Sequence, residues 1–335
     1  MASEGDRCRW RLAPDALETG PFVHVAACSA LPQIISLPHA IATCRNWPGP
    51  GSERCAVRRH GGAAEPEAFV PVQDFTLDAY ASILRAGLDA GYEFYPVFDW
   101  YDLDAPKGAG IMLRHDVDRR PGNALKMARL ERDLGVRSSY YFRSLPCSFV
   151  PDIIKQIRDL GHEIGYHYED WHLARYDPRK ALALFEDHLA RLRTLAPVRS
   201  IAMHGSPLSR ENNMAIWDHH TFTDFGVIDA ILSFDYTGYV FFTDSGRTFA
   251  PSGANLRDYL GNAGTVAGVG SSNDLGAWLR QHPGVRVQIN VHPERWNDPG
   301  AAWLRQWATD QAANTVKRGL RLVRGTNRAA KPEAT

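Results

Sequence analysis

From about residue 75 onward, the hydrophobic positions of the chain switch repeatedly between helical and strand periods. Tyr80, Ile83, Leu84 and Leu88 keep helical spacing and Gly91 follows as a stop, which predicts a helix and starts the folded body near Phe75. The apolar run Ile111-Met112-Leu113 then ends in polar residues and gives way to a helical stripe of Ala124, Met127, Leu130 and Leu134, closed by Gly135. The unit repeats with Ser139 to Phe142 as a strand and Ile153, Ile154, Ile157 and Leu160 as the next stripe, stopped by Gly161. It repeats again with His162 to Tyr168, after which Asp177-Pro178 supplies an N-cap and first-turn pair for a helix showing Leu182, Phe185, Leu189 and Leu192. Ser200 to Met203, Ala230 to Phe234, Tyr239 to Phe242 and Val285 to Val291 read as later strands, and Ala301 to Leu322 as a closing helix.

Strands that alternate with helices predict a mainly parallel sheet, either closed as a distorted TIM-like (β/α) barrel or open and doubly wound. No Gly-x-Gly-x-x-Gly or P-loop follows the first strand, which counts against the nucleotide-binding open sheet. Residues 1–70 show no sustained period, and the stretch beginning Asn46-Trp47-Pro48-Gly49 is rich in turn formers. They are expected to form a poorly ordered extension, or to reflect an upstream start codon. Residues 71–325 form the predicted barrel and residues 326–335, rich in Lys, Arg and Ala, a frayed tail.

Composition narrows the function classes. With 335 residues, 44% of them hydrophobic, the chain can bury a large core. Its 38 basic residues balance 38 acidic ones, so no net field recruits nucleic acid or an anionic membrane. Met1 to Trp10 lacks the apolar block of a secretory signal, and Phe22 to Cys44 is interrupted by His24, Pro32, Gln33, Pro38 and His39, which argues against a membrane span. Cys8, Cys28, Cys44 and Cys55 fall in the early stretch and Cys147 stands alone in the main body, with no zinc-knuckle or redox-pair spacing. A reducing, cytoplasmic setting is expected.

The chemistry concentrates where strands end. His115-Asp116-Val117-Asp118, His167-Tyr168-Glu169, His204-Gly205-Ser206 and His292-Pro293-Glu294-Arg295 each directly follow an apolar strand. In a parallel barrel those positions share the carboxyl-terminal rim, where loops can vary without disturbing the core. Side chains two apart on a strand face the same way, so Asp116 pairs with Asp118, His167 with Glu169 and Asn290 with His292. A single Asp after a strand is commonly a helix N-cap; four such segments argue for a site. Carboxylates mixed with imidazoles suit zinc or another first-row divalent ion, and carboxylates left over can act as bases. Met203 and Phe142 read as core, whereas Tyr101, Trp171, Tyr236, Tyr239 and Trp296 are candidate faces for stacking sugar rings.

These segments resemble the polysaccharide deacetylase family, carbohydrate esterase family four, and within it a subgroup associated with lipopolysaccharide O-antigen synthesis. The resemblance covers roughly Phe75 to Leu322. It rests on Leu113-Arg114-His115-Asp116-Val117-Asp118, Gly161 to Glu169, Met203-His204-Gly205-Ser206-Pro207, Thr243-Asp244-Ser245-Gly246-Arg247 and Asn290 to Trp296, in that order. It implies a seven-stranded distorted barrel of the polysaccharide deacetylase type and a metal-dependent hydrolase that removes N-acetyl groups from a sugar or polysaccharide precursor. It further implies Asp116 as general base, His292 as general acid and His167 as a metal ligand, while Asp118 is expected as the metal carboxylate from its facing on the strand. The family has adjacent aspartates where Val117 intervenes here, and a second histidine where this chain has Trp171 followed by His172. The third ligand is therefore His172, Glu169 or His204, with His172 nearest the family's spacing. His204, Glu169, Asp244, Arg247, Arg295 and Trp296 are expected to bind substrate. Two rivals use the same barrel: a hydrolase of a non-sugar amide or ureide, and a catalytically inactive glycan-binding protein.

Overall fold

The computed structural model describes residues 73–103, 110–206, 209, 211–251 and 260–325. The predicted extension over 1–70 and tail over 326–335 lie outside the described residues, as do the four early cysteines. Met1–Glu67 and Ala68–Thr335 are two separate units, and the fold described below belongs to the second.

Among the described residues, eight strands are interspersed with helices. They are β1 (Glu93–Tyr95), β2 (Gly110–Val117), β3 (Ser139–Phe142), β4 (Glu163–Tyr168), β5 (Ser200–Met203), β6 (Ile228–Asp229), β7 (Tyr239–Thr243) and β8 (Arg286–Val291). The helices are α1 (Leu77–Asp89), α2 (Val97–Asp102), α3 (Pro121–Asp133), α4 (Pro151–Asp159), α5 (Asp170–Leu173), α6 (Pro178–Arg193), α7 (Ser272–Gln281) and α8 (Ala301–Gly325). Every strand pairing is parallel, and seven strands follow the order β6-β5-β4-β3-β2-β8-β7 while β1 pairs with the first half of β2. This is an α/β fold in which a parallel sheet of barrel type carries helices, with β6 and β7 at its two edges.

The local signals account for most element ends. Thr76 caps α1 by accepting from the Ala79 amide, Asp177 caps α6 by accepting from Lys180, and Gly91, Gly135 and Gly161 follow α1, α3 and α4 with φ of 82°, 72° and 91°. The apolar run at Ala230 to Phe234 departs from expectation. Only Ile228–Asp229 pairs as a strand, because Asp229 Oδ1 accepts from the amides of Ile231 and Leu232 and turns the chain at once. α7, which the hydrophobic pattern did not announce, starts with a reciprocal capping box between Ser271 and Asp274.

Strand alternation sorts the core into two layers. On β2, Ile111 faces α1 while Gly110 abuts the Trp100 indole, and on β4 a Cβ at Gly165 would collide with the Tyr141 ring. Trp100, on α2, lies where strands begin: it donates to the Tyr239 hydroxyl (2.8 Å), and the Val97 and Phe98 amides donate to Ser139 and Glu163, the first residues of β3 and β4. That end of the sheet is filled by aromatic and hydrogen-bonded side chains, leaving the opposite, carboxyl-terminal end for chemistry.

Candidate active site

Each of the polar segments leaves a strand at the same end, and the even-numbered positions of β2 carry the inward-facing groups. Arg114 grips Asp116 bidentately (2.8 and 2.7 Å), and Asn290 of β8 donates to the same carboxylate at 3.0 Å. Burial alone would raise the Asp116 pKa, but Arg114 and the neighbouring His167 and His292 hold it far below the ordinary carboxylate range. His115, the odd position between, points to the helix side, where it meets Glu131 at 2.7 Å and stacks on Tyr140. It takes no part in the rim.

Asp118 is the centre of the cluster. Its Oδ1 lies 3.4 Å from Nε2 of His167 and 3.4 Å from Nε2 of His204. The far nitrogen of each ring is anchored: His167 Nδ1 at the Ala202 carbonyl oxygen (2.9 Å) and His204 Nδ1 at Glu169 (3.0 Å). Glu169 is in turn clamped by Arg143 through two bonds of 2.6 and 2.8 Å, and Arg143 also reaches the Asp118 carbonyl oxygen at 3.2 Å. Burial pushes the Asp118 and Glu169 carboxyls up, yet the histidines beside Asp118 hold it well below the usual range, and His204 with Arg143 brings Glu169 to about 2. Burial would lower His204, and the two carboxylates instead raise it to about 9.

Separations of 3.4 Å are long for hydrogen bonds, and they match the gap between two donors each about 2.1 Å from one tetrahedral ion. Asp118 Oδ1 is buried without a hydrogen-bond partner, an orphaned acceptor that a cation would satisfy. The donor chemistry and the two pairs about Asp118 thus fit a divalent ion, although no group of three or more His, Cys, Asp or Glu among the described residues reaches the spacing of a ready-made metal site.

Asp244, at the end of β7, gathers a second group. It accepts from His292 Nδ1 (2.6 Å), the His292 amide (2.9 Å), Arg295 (2.5 Å) and the Trp296 indole (2.9 Å). Burial raises its carboxyl, but Arg295 and His292 bring it to about 2.

The structure thus gathers Asp116, Asp118, His167, Glu169, His204 and His292 at one rim, but it leaves the other expected residues elsewhere or in other roles. His172 does not reach the cluster: α5 turns the chain at Asp170, and the exposed His172 ring lies against Tyr176. Asp244, Arg295 and Trp296 are buried around His292, so they hold that ring and offer no surface to substrate. Arg247 points away as well, binding Asp310 (3.2 Å) and stacking on Phe75 and Trp303, where it fastens α8. Glu169 is spent on Arg143 and His204. Of the five aromatic faces, Trp171, Tyr236, Tyr239 and Trp296 are buried, and exposed Tyr101 sits on α2 at the opposite end of the strands.

Arg114, Arg143 and Glu294 escaped assignment. The first two carried readable signals: Arg114 stands two positions before Asp116 on the same strand face, and Arg143 directly follows β3, at the position that singled out the other site residues. Glu294 is 2% exposed, and one of its oxygens, Oε2, has no hydrogen-bond partner. Burial, then the charge on Asp118, raises its carboxyl to about 7.

An all-parallel α/β sheet with a carboxylate–imidazole cluster at its carboxyl-terminal rim is the class that fold and site define. No protein-family model matches the chain, and no curated protein matches it in sequence. Among solved structures, a family 4 carbohydrate esterase from Bacillus anthracis aligns over 63% of this chain and 75% of its own, at 14% identity and a TM-score of 0.30. A CE4 family pseudoenzyme from the same organism aligns over 62% and 60%, at 14% identity and 0.31. A family 4 carbohydrate esterase from Streptomyces lividans, in complex with acetate, aligns over 64% and 91%, at 13% identity and 0.33. Likeness at that level carries no weight for this chain, and the fold rests on the strand order and register above.

Proposed function

We propose that this chain is a divalent-metal-dependent hydrolase that removes acetyl groups from an N-acetylated sugar or polysaccharide precursor of the cell-surface type. The observation that carries the metal is the placement of Asp118 Oδ1 3.4 Å from both His167 Nε2 and His204 Nε2. These three residues would hold the ion, and their nitrogen and carboxylate donors suit zinc. When bound there, such an ion supplies a Lewis acid that polarises an amide carbonyl and makes water a stronger acid. The deacetylase reading draws its support from the five ordered motifs.

The protein's own groups divide the remaining work. Asp116, kept ionised by Arg114 and Asn290, takes the proton of the attacking water. So weak a base passes that proton on to solvent as acetate leaves, and ends the cycle ionised as it began. His292, fixed through Nδ1 by Asp244, presents its other ring nitrogen as the one able to protonate the departing sugar nitrogen. Glu169 and Arg143 keep His204 turned towards Asp118.

The test is acetate release from a panel of N-acetylated nucleotide-sugars and oligosaccharides, with amides and ureides alongside. Metal-stripped protein should be inactive and should recover with zinc or another first-row ion, while Asp116→Asn and His292→Ala should each lose at least about 100-fold in kcat. Full activity in either variant refutes that residue's role. Turnover of ureides alone favours the amide rival, and a wild-type protein that takes up no divalent ion favours the inactive glycan binder.

A further inference from the structure

Tryptophan is seldom left in water without a use. Among the described residues, the indoles of Trp100, Trp171, Trp217, Trp296 and Trp303 donate hydrogen bonds, and Trp278 stacks on His282. Trp307, on α8, has neither kind of partner among the described residues and is 41% exposed.

Trp307 lines a trough of about 260 Å³. Trp303, Trp307 and Gln311 stand one turn apart on α8 and form one wall, and Gln73 to Phe75, just ahead of α1, form the other. The walls are fastened together. The Trp303 indole donates to the Asp74 carbonyl oxygen at 2.8 Å, and the Arg247 guanidinium lies over the rings of both Phe75 and Trp303. The trough is therefore preformed, and it is smaller than the roughly 300–1,000 Å³ of pockets that enclose a drug-sized ligand. It suits a single ring.

Its polar groups select the chemistry of that ring. The charges are already spent: Arg247 pairs with Asp310 at 3.2 Å, and the Asp74 carboxylate accepts from the Phe75 and Ser272 amides at 2.7 and 3.0 Å. The side-chain amides of Gln73 and Gln311 have no hydrogen-bond partner among the described residues, nor does Trp307 Nε1. Each glutamine offers two donors and an acceptor, which matches hydroxyl and N-acetyl groups, while the indole face matches the C–H face of a pyranose. A charged ligand would meet no free counter-charge, and a purely apolar one would take the amides out of water without replacing their bonds.

The trough opens at the same end of the sheet as the candidate active site. Arg247 follows β7 and donates to the Arg295 carbonyl oxygen at 3.4 Å, and the Phe75 ring packs on Trp296 with centroids 5.0 Å apart. Arg295 and Trp296 also bind Asp244, so the trough and His292 share one supporting layer.

We infer that this trough is a sugar-binding subsite, in which Trp307 stacks on one uncharged ring of an extended glycan while Gln73 and Gln311 bind its polar groups. The inference rests on the carbohydrate reading above and narrows it to an oligomer or polymer in place of a single sugar.

The experiment titrates N-acetylglucosamine, its tetramer and its hexamer calorimetrically into the full chain as wild type, Trp307→Ala, Trp307→Phe and Gln311→Ala. Acetate release from the same sugars, mass in solution and melting temperature are recorded for each protein. Wild type should bind the hexamer more tightly than the monomer. Trp307→Ala should weaken hexamer binding by about 3- to 10-fold, and Trp307→Phe by less. Trp307→Ala should also raise KM for the hexamer by a similar factor, with kcat, turnover of the monomer and melting temperature unchanged. Equal hexamer binding by wild type and Trp307→Ala overturns the inference and leaves the deacetylase reading intact. A wild-type oligomer that dissociates in Trp307→Ala also overturns it, since the face is then a contact between copies of the chain. Hexamer binding that depends on Trp307 without acetate release upholds the subsite and counts against the deacetylase reading. A wild type that binds none of the three sugars overturns the inference whatever its activity.

Discussion

At the scale of single residues, each histidine of the site is held through its Nδ1, by the Ala202 carbonyl oxygen, Glu169 or Asp244. His292 is the clearest case: its Nδ1 and its backbone amide both donate to Asp244, whose two oxygens also receive Arg295 and Trp296. A fully buried carboxylate with four donors fixes the ring's orientation and favours the tautomer with its proton on Nδ1. Asp244→Asn keeps the shape but replaces one acceptor oxygen by a donor amide, which confronts a donor whichever way it turns. We expect kcat for acetate release to fall by about 100-fold or more, with KM and the metal content little changed. If KM rises with kcat intact, Asp244 contacts substrate, and its role in holding His292 is wrong.

The same scale explains how far the site was legible. A period of two placed Asp116, Asp118, His167, Glu169 and His292 on one rim, because it needs only strand geometry. It could not say which polar side chains would neutralise one another. Asp244, Arg295 and Trp296 belong to the right segments, but only packing distinguishes a residue that meets substrate from one that holds a histidine. His172 was misplaced because its expectation rested on family spacing, whereas a one-turn helix starting at Asp170 carries its ring to the surface.

At the scale of elements, the sheet keeps its curl partly by leaving room where aromatic rings turn inward. Gly165 in the middle of β4 is one such place: β3 lies beside it in register, with Tyr141 opposite, and the Tyr141 ring occupies the volume a Cβ would need. The Tyr141 hydroxyl is itself fixed at Ser200 of β5 (2.8 Å), so the ring cannot swing aside without breaking a buried bond. Gly165→Ala should therefore destabilise the fold by about 1–3 kcal/mol or more, read as a lowered urea midpoint. Pairing it with Tyr141→Leu should recover part of that loss. A stable single variant would show that β3 and β4 are less tightly packed than the register indicates.

The elements themselves were largely readable where one periodic signal acted alone. α1, α3, α4 and α6 each show a stripe with a cap or a glycine stop, and β2, β3, β4 and β5 each form an apolar run ahead of a polar end. The pattern failed where side-chain hydrogen bonds override apolar content, as at Asp229, which bends the chain before Ala230 to Phe234 can extend. It also failed at α2, whose Trp100 fills the start of the sheet: six residues are too few to display a helical period.

At the scale of the whole molecule, acid should expose a dependence on one carboxylate that takes no part in the rim chemistry. Glu131, on the inner face of α3, has no exposure and accepts from Tyr80 (2.5 Å), Ser138 (2.6 Å) and Tyr140 (2.9 Å), with His115 at 2.7 Å and His162 at 3.5 Å. Burial alone would raise its pKa; His115, His162 and Ser138 outweigh burial and lower it from 4.5 to about 2. A carboxyl depressed in the folded state binds its proton more readily when unfolded. Its stabilisation is complete above the unfolded value near 4.5 and is lost as pH falls from there through about 2. The shift corresponds to a contribution on the order of 3 kcal/mol. His162, lowered by burial despite Glu131, acts in the same direction at higher pH, favouring the fold above its unfolded value of 6.5 and less below it. Unfolding by urea at pH 7, 5 and 3 should show Glu131→Gln less stable than wild type by a few kcal/mol at pH 7, with a similar gap at pH 5 that closes towards pH 3. The rim carboxylates also titrate in acid, but they are common to both proteins and cancel in the difference. A gap of the same size at all three pH values would mean that Glu131 contributes shape and hydrogen bonds without the charge, and the account of Glu131 as a buried ionised carboxylate would fall.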